Sequence, residues 1–314
     1  MNFPFNLKEA AEFDVTGFGT NAVDHLIRVA EFPAHNSKVS LTGYTQLAGG
    51  EIASTMVGLA RLGMRTTYAG RVGSDAAGEL GRASLIAEGV GVEYCEIIEG
   101  AATQVAFIIV DERSGERTII WDRDRRLRYL AADAPIDLAA RTKILHMTPH
   151  DVEACISMAV AAHANGAVVS ADIDNAFEGI EALLSHVDIC IVSADFPEQL
   201  LGIADHRTAL AEISARYGCT VAGTTLGADG SVFWCGGQLL YTPGFAVPDG
   251  CVDTTGAGDA FRTGFLYGIL TGQDLEQSAV LANAVAALKC RASGARTGLP
   301  TQKELNSLIK KTCI

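Results

Sequence analysis

Residues 253–261 read DTTGAGDAF: two carboxylates bracket a run of small residues, and an apolar stretch, FLYGILTG, follows. Small residues let a backbone approach a ligand closely. The amides that open a helix lack intrahelical partners and attract anions. Gly256, Ala257 and Gly258 could therefore cradle a phosphoryl group in transit. Asp259, in the first turn, could accept the proton of an attacking hydroxyl. The same residues could also form an ordinary glycine turn with a capping acid. A lone G-x-G would favour the turn, whereas the longer D-T-T-G-A-G-D string is more specific.

Such chemistry needs elements to position it. Short strand-like runs fill the early chain: FDVTGFG (13–19), DHLIRV (24–29), KVSLTGYTQLA (38–48), TQVAFIIV (103–110) and RTIIWD (117–122). DERSGE separates the last two, and its Ser-Gly suits a hairpin turn. From about residue 142 the rhythm becomes strand, helix, strand. KILHM, AVVSADI, DICIVS and CTVAGTT are apolar and β-branched, as doubly buried strands should be. VEACISMAVAAHAN and HRTALAEISARYG between them read as helices ending near Asn or Gly. Alternating units predict a doubly wound, mostly parallel α/β sheet with helices on both faces. Ligands in such sheets bind beyond the carboxyl ends of the strands. The surplus hairpin strands predict a small β-sheet lid, drawn from about 22–48 and 102–124. An ordinary mixed sheet with an antiparallel edge is the alternative. One domain is expected over 14–314, after an N-terminal extension at 1–13.

Composition narrows the function classes. The 314 residues are 48% hydrophobic and 19% charged, normal for a globular enzyme. A formal net charge of −13 argues against nucleic-acid binding, which needs clustered Lys and Arg. Neither a signal peptide nor a membrane-spanning run is visible, so a cytoplasmic location is expected. The eight cysteines are scattered, without C-x-x-C, and read as reduced thiols. Cys290 alone lies close to a suspected nucleotide region. Dispersed histidines argue against a protein-held transition metal.

The DTTGAGD string resembles the C-terminal signature of the ribokinase-like (PfkB) carbohydrate kinases. AGGEIASTMVGLARLG (48–63) is similar to the N-terminal signature, a Gly-Gly pair opening a helix that ends A-R-L-G. RVGSDAAGE (71–79), TLGADGS (225–231) and LANAVAALKCRASGARTG (281–298) continue the match in family order. The resemblance implies ATP-dependent transfer of a phosphoryl group to a sugar hydroxyl, with Asp259 as base and Gly256, Ala257 and Gly258 as anion hole. It places Asp24, Asn21, Gly49, Gly50 and Ser54 on the sugar. Thr225, Gly227, Gly230, Asn283, Gly256 and Gly258 fall on the nucleotide side. It further implies Mg2+ on the nucleotide phosphates, a potassium ion near the DTTGAGD loop in several relatives, and a homodimer paired through the lid.

Departures from the family pattern bear on substrate and metal. Ser54 stands where Asn is frequent. The expected N-x-x-E region reads SADFPE, with Ser193 for Asn and Phe196 at the acid position, leaving Asp195 or Glu198 to substitute at the metal. HMTPHDVEA (146–154) and SADID (170–174) are similar to kinases of ketoses or sugar acids, with Asp172 near the transfer region. WDRDRRLRY (121–129) holds four arginines. Its position suggests Arg123, or Arg125, as contact for an anionic group on the sugar. A solvated charge run is the alternative. A nucleoside kinase of the same family, or a non-catalytic sugar-binding relative, are competing functions.

Overall fold

The computed structural model describes residues 1–113 and 117–312. Its strands, in chain order, are β1 (Phe13–Phe18), β2 (Ala22–Val29), β3 (Leu41–Gly49), β4 (Thr66–Gly73), β5 (Gly91–Ile98), β6 (Val105–Asp111), β7 (Arg117–Asp122), β8 (Thr142–Met147), β9 (Val168–Ile173), β10 (Ile189–Val192), β11 (Val221–Thr225), β12 (Ser231–Cys235) and β13 (Gln238–Thr242). The helices are α1 (Glu51–Arg61), α2 (Ala76–Ala87), α3 (Val152–Ala164), α4 (Ile180–Leu184), α5 (Phe196–Leu201), α6 (His206–Tyr217), α7 (Ala257–Leu270), α8 (Leu275–Lys289) and α9 (Gln302–Thr312).

Nine strands join in the order β13-β12-β11-β10-β9-β8-β1-β4-β5. They run parallel from β11 through β5, and β12 and β13 turn back antiparallel at one edge. Every residue of β9 and β10 is buried, which accounts for the unbroken apolar sequence of β10 and the mostly apolar one of β9. Helices cover both faces. α1, α7 and α8 share one core with Phe233 and Leu288, and α3 and α6 share the other with Phe196 and Cys190. The N-terminal extension lies on the first of these cores. Phe3 meets Phe265 edge-on at 6.0 Å, and Met1 O accepts from Leu275 N at 2.9 Å.

The surplus strands at 22–48 and 102–124 form a separate four-stranded sheet, β3-β2-β6-β7, while FDVTGFG supplies β1 of the main sheet, so the mixed-edge alternative is excluded. β2 pairs antiparallel with β3 but parallel with β6, and β6 pairs antiparallel with β7. The turn predicted at Ser114–Gly115 lies outside the described residues. This lid is folded down on the main body. Arg28 Nη2 donates to Ser293 Oγ at 2.8 Å, and Arg117 Nη1 donates to Thr254 Oγ1. Among the described residues no helix is long and apolar enough to cross a membrane. The described cysteines are all free thiols, buried except for Cys251. Burial pushes the Cys290 thiol up to about 11, which makes it a poor nucleophile.

Candidate active site

Two helix N-termini converge at the carboxyl edge of the sheet. α1 starts from Gly50, whose φ is 87° and whose added Cβ would lie 2.6 Å from Ala22 N. α7 starts from Gly256, with φ 75°, where a Cβ would lie 2.7 Å from Ala295 Cα. Left-handed backbone and close packing both require glycine there. Thr55 Oγ1 on α1 and Thr263 Oγ1 on α7 both donate to Asp259 O, at 3.3 and 2.9 Å. The two helix starts are thereby locked together. Ala257 N–H is spent on Thr254 O at 3.0 Å. The amides of Gly256, Gly258 and Asp259 have no hydrogen-bond acceptor among the described residues. These three amides could receive an anion, whereas that of Ala257, expected among them, is taken.

Asp259 is buried beneath those amides. Burial first, then the Asp172 and Glu51 carboxylates, raise its carboxyl well above the usual range. Asp172, at the end of β9, is raised to about 7, also by burial. Arg262 opposes that rise, its Nη2 lying 2.5 Å from Asp172 Oδ1. Arg262 favours the ionised form of Asp172 and, more weakly, that of Asp259 as well. Arg262 Nη2 also donates to Ile191 O at 3.1 Å, which fixes it to β10. Glu51 Oε2 accepts from Thr20 Oγ1 at 3.0 Å and sits 3.1 Å from His150 Nε2. Burial works against the His150 charge, but Glu51 overcomes it and raises the imidazole. Trp121 and Phe177 bracket the His150 ring edge-on, at 6.0 and 5.1 Å.

On the lid side, Asp24 is 5% exposed, and its carboxylate has no hydrogen-bond partner among the described residues. Burial raises it to about 6, with Arg296 pulling down and Asp253 and Glu51 pushing up. A Cβ on Gly49 would fall 2.2 Å from Asp24 Oδ2, so the first glycine of the pair makes room for this carboxylate. Behind it lies Arg296, wholly enclosed. Its Nη2 donates to Asn21 Oδ1 at 2.9 Å and to Gly49 O, Nη1 to Ser84 Oγ at 3.1 Å, and Nε to Ser54 Oγ at 3.3 Å. Ser54 is 0% exposed and reaches a ligand only through that guanidinium.

The remaining expected residues divide. Thr225 and Gly227 lie at the end of β11, where Gly227 has φ 60° and open space around its Cα. Gly230 is a packing glycine, since its Cβ would meet Thr242 O at 2.1 Å. Asn283 is buried, and its Nδ2 donates to Ser231 Oγ at 3.1 Å and Thr242 O at 3.4 Å. It ties α8 to the β12–β13 edge. Asp195 and Glu198 are exposed at the start of α5. Among the described residues no three His, Cys, Asp or Glu side chains gather into a metal cluster. Arg123 holds Asp151 with both Nη atoms, at 3.0 and 2.7 Å, and Nη2 also donates to Leu127 O at 3.0 Å. Arg125 is exposed.

Sequence reasoning passed over Glu51, His150, Arg262 and Arg296. Glu51 directly follows the Gly-Gly pair and Arg262 stands one turn after Asp259, so helix spacing carried a signal for both. His150 and Arg296 come from distant loops and carried none.

The chain matches the model of the pfkB family of carbohydrate kinases over residues 16–302. It is 32% identical over 255 residues to a protein of Archaeoglobus fulgidus described as an uncharacterized sugar kinase, covering 78% of this chain and 98% of that one. It is 26% identical to a nucleoside kinase of Methanothermobacter thermautotrophicus, covering 93% and 94%. The ribokinase of Arabidopsis thaliana, solved with ribose and ATP, superposes with a TM-score of 0.83 at 23% identity, covering 95% and 99%. The chain belongs to the pfkB family of carbohydrate kinases and has the ribokinase-like fold, with a large mostly parallel sheet and a separate lid. It is an ATP-dependent kinase of that family.

Proposed function

We propose that this kinase transfers the γ-phosphoryl group of ATP to a primary hydroxyl of a small sugar, with Asp259 as general base. The observation that carries this reading is the pairing of a buried, proton-avid Asp259 with three unsatisfied amides at the start of α7. A general base and a nest for phosphoryl charge are the two parts that such transfer needs. Asp24, without a partner of its own, would accept from sugar hydroxyls above the Gly49–Gly50 backbone, with Asn21 beside it. The nucleotide would lie along Thr225, Gly227 and the α7 N-terminus, with Asn283 buried beneath the neighbouring edge. Mg2+ takes oxygen ligands and keeps several waters, so the phosphates can carry it with few protein donors. Asp195 or Glu198, exposed beside β10, could hold one of those waters. A ketose, or a sugar bearing an anionic group, is the substrate class proposed through the arginine-rich 121–129 segment. Arg123 is already engaged by Asp151, so Arg125 is the freer contact.

A second reading, a nucleoside acceptor, is favoured by the rings of Trp121, His150 and Phe177 grouped beside Glu51, which could stack on a base. ADP release over a panel of fructose, ribose, 2-keto-3-deoxygluconate, phosphorylated ketoses and adenosine separates the two. Turnover of a sugar supports the first reading, turnover of adenosine alone supports the second, and none with any acceptor defeats both.

The lid also suggests a homodimer. Ile27, Tyr44, Phe107, Ile109 and Ile120 share one face by register, away from the cleft. Tyr44 is 55% exposed and Ile120 56%. Covering that face with a second copy would remove it from water. Sedimentation should give twice the chain mass for the wild type and a monomer for Ile120→Lys. A monomeric wild type would refute the pairing.

A further inference from the structure

Lys289, the last residue of α8, is a lysine with no exposed surface. An ammonium taken so completely from water is costly unless it has a definite electrostatic task. Its Nζ donates to Asp253 O at 2.8 Å, at the first residue of DTTGAGD. Burial lowers its proton affinity, and the Asp253 and Asp259 carboxylates both act to raise it. Asp253 differs sharply from Asp259, the other acid of the string. Its Oδ1 accepts from Thr255 N at 2.8 Å and its Oδ2 from Gly294 N at 2.7 Å. Burial pushes Asp253 up, but these hydrogen bonds and Lys289 outweigh it and hold the carboxyl below its ordinary value. Asp253 is therefore an ionised brace that bolts the loop to the segment after α8. That segment packs tightly, since a Cβ on Gly298 would lie 2.1 Å from Lys289 O.

The potassium ion implied by the family resemblance would need free oxygens at this loop. Both carboxylate oxygens of Asp253 are committed to amides, and its carbonyl oxygen already receives an ammonium. Asp253, the loop's first oxygen donor, therefore has none left uncommitted for a second cation.

We propose that the Lys289 ammonium is the built-in monovalent cation of this enzyme, positioning the 253–259 loop so that phosphoryl transfer proceeds without added potassium. An ammonium has the single charge of potassium and a closely similar size. Tethered to α8, it fixes Asp253 and places positive charge beneath the nest where phosphoryl charge gathers. Lys289 is a positioning residue and touches no reactant. The proposal rests on the kinase reading for its kinetic arms only.

The test compares wild type, Lys289→Met and Lys289→Ala in tetramethylammonium buffer, with and without potassium or ammonium chloride. Wild-type kcat should change by less than about twofold on adding potassium, and its melting temperature should not respond to potassium beyond its response to sodium. Lys289→Met should lose about tenfold or more in kcat, with KM for the sugar little changed. Lys289→Ala should regain activity with ammonium or potassium, which can enter the space left by the side chain. A wild-type enzyme that needs potassium, or one that a potassium-specific rise in melting temperature shows to bind it, would overturn the proposal. Those two arms stand even if both variants fail to fold. The melting arm also stands if no acceptor is phosphorylated, an outcome that sinks the kinase reading instead.

Discussion

Asp259→Asn is expected to lower kcat by roughly 10²–10⁴-fold while leaving KM for sugar and ATP within a few-fold, because a positioned general base contributes about that much. The amide keeps the shape and the hydrogen bonds to Asp259 O but cannot take a proton. The wild type should also show an acid limb, since the base must be ionised to act. Burial and neighbouring carboxylates raise Asp259, so the window of that limb, over which kcat/KM climbs with pH, should lie above the ordinary carboxylate range. Stability has the opposite sign. A carboxyl whose folded pKa is raised favours the folded state at low pH, and that contribution disappears as pH climbs through the folded value. At pH above the window, Asp259→Asn should therefore melt no lower than the wild type, having lost a buried charge. Stopped-assay kinetics and thermal melts at several pH values read both effects. Full activity in the variant refutes the base. A variant that is inactive and also markedly less stable would instead point to a folding role.

The loop and its acid were legible in the sequence because the string is local: a left-handed glycine, a helix start and an acid in its first turn are all set by neighbours in the chain. The parallel strands were legible for a similar reason, since β8 to β11 are largely buried on both faces and wear that burial as short, mostly apolar runs. The lid was legible as surplus hairpin strands, although its parallel β2–β6 pairing was not, because register between distant strands leaves no local mark. The electrostatic setting of Asp259 escaped for the same cause. Asp172 and Glu51 come from β9 and α1, and only folding brings their charges within reach of α7. Arg296 is the extreme case. A residue near the C-terminus bonds to Asn21, Gly49, Ser54 and Ser84, so the serine that departs from the family pattern is one acceptor for a guanidinium that no spacing rule could bring to it. Conversely, the arginine that did stand out in sequence, Arg123, stands out for its charge, and the structure shows where that charge goes.

Arg123→Ala is expected to cost about 3–5 kcal/mol, the range for breaking a buried pair by removing one partner. Arg123 is 16% exposed and Asp151 6%. Asp151 Oδ2 also accepts from Tyr129 N at 3.1 Å, so the carboxylate cannot swing out to water without releasing that backbone as well. Asp151 lies immediately before α3, and Arg123 follows β7 of the lid, so the pair ties lid to body. Loss of the guanidinium should lower the melting temperature by about 10 °C, taking roughly 2–4 °C per kcal/mol for a large domain. Arg123→Met with Asp151→Leu should recover much of that loss, because an apolar pair of similar volume removes the unpaired charge. Substrate recognition makes the contrary forecast. If Arg123 grips an anionic group on the sugar, Arg123→Ala would melt like the wild type and raise KM for acidic or phosphorylated sugars while sparing neutral ones. Melting curves and KM values for one neutral and one anionic sugar, measured on the same preparations, distinguish the two: a structural tie moves stability first and all substrates alike.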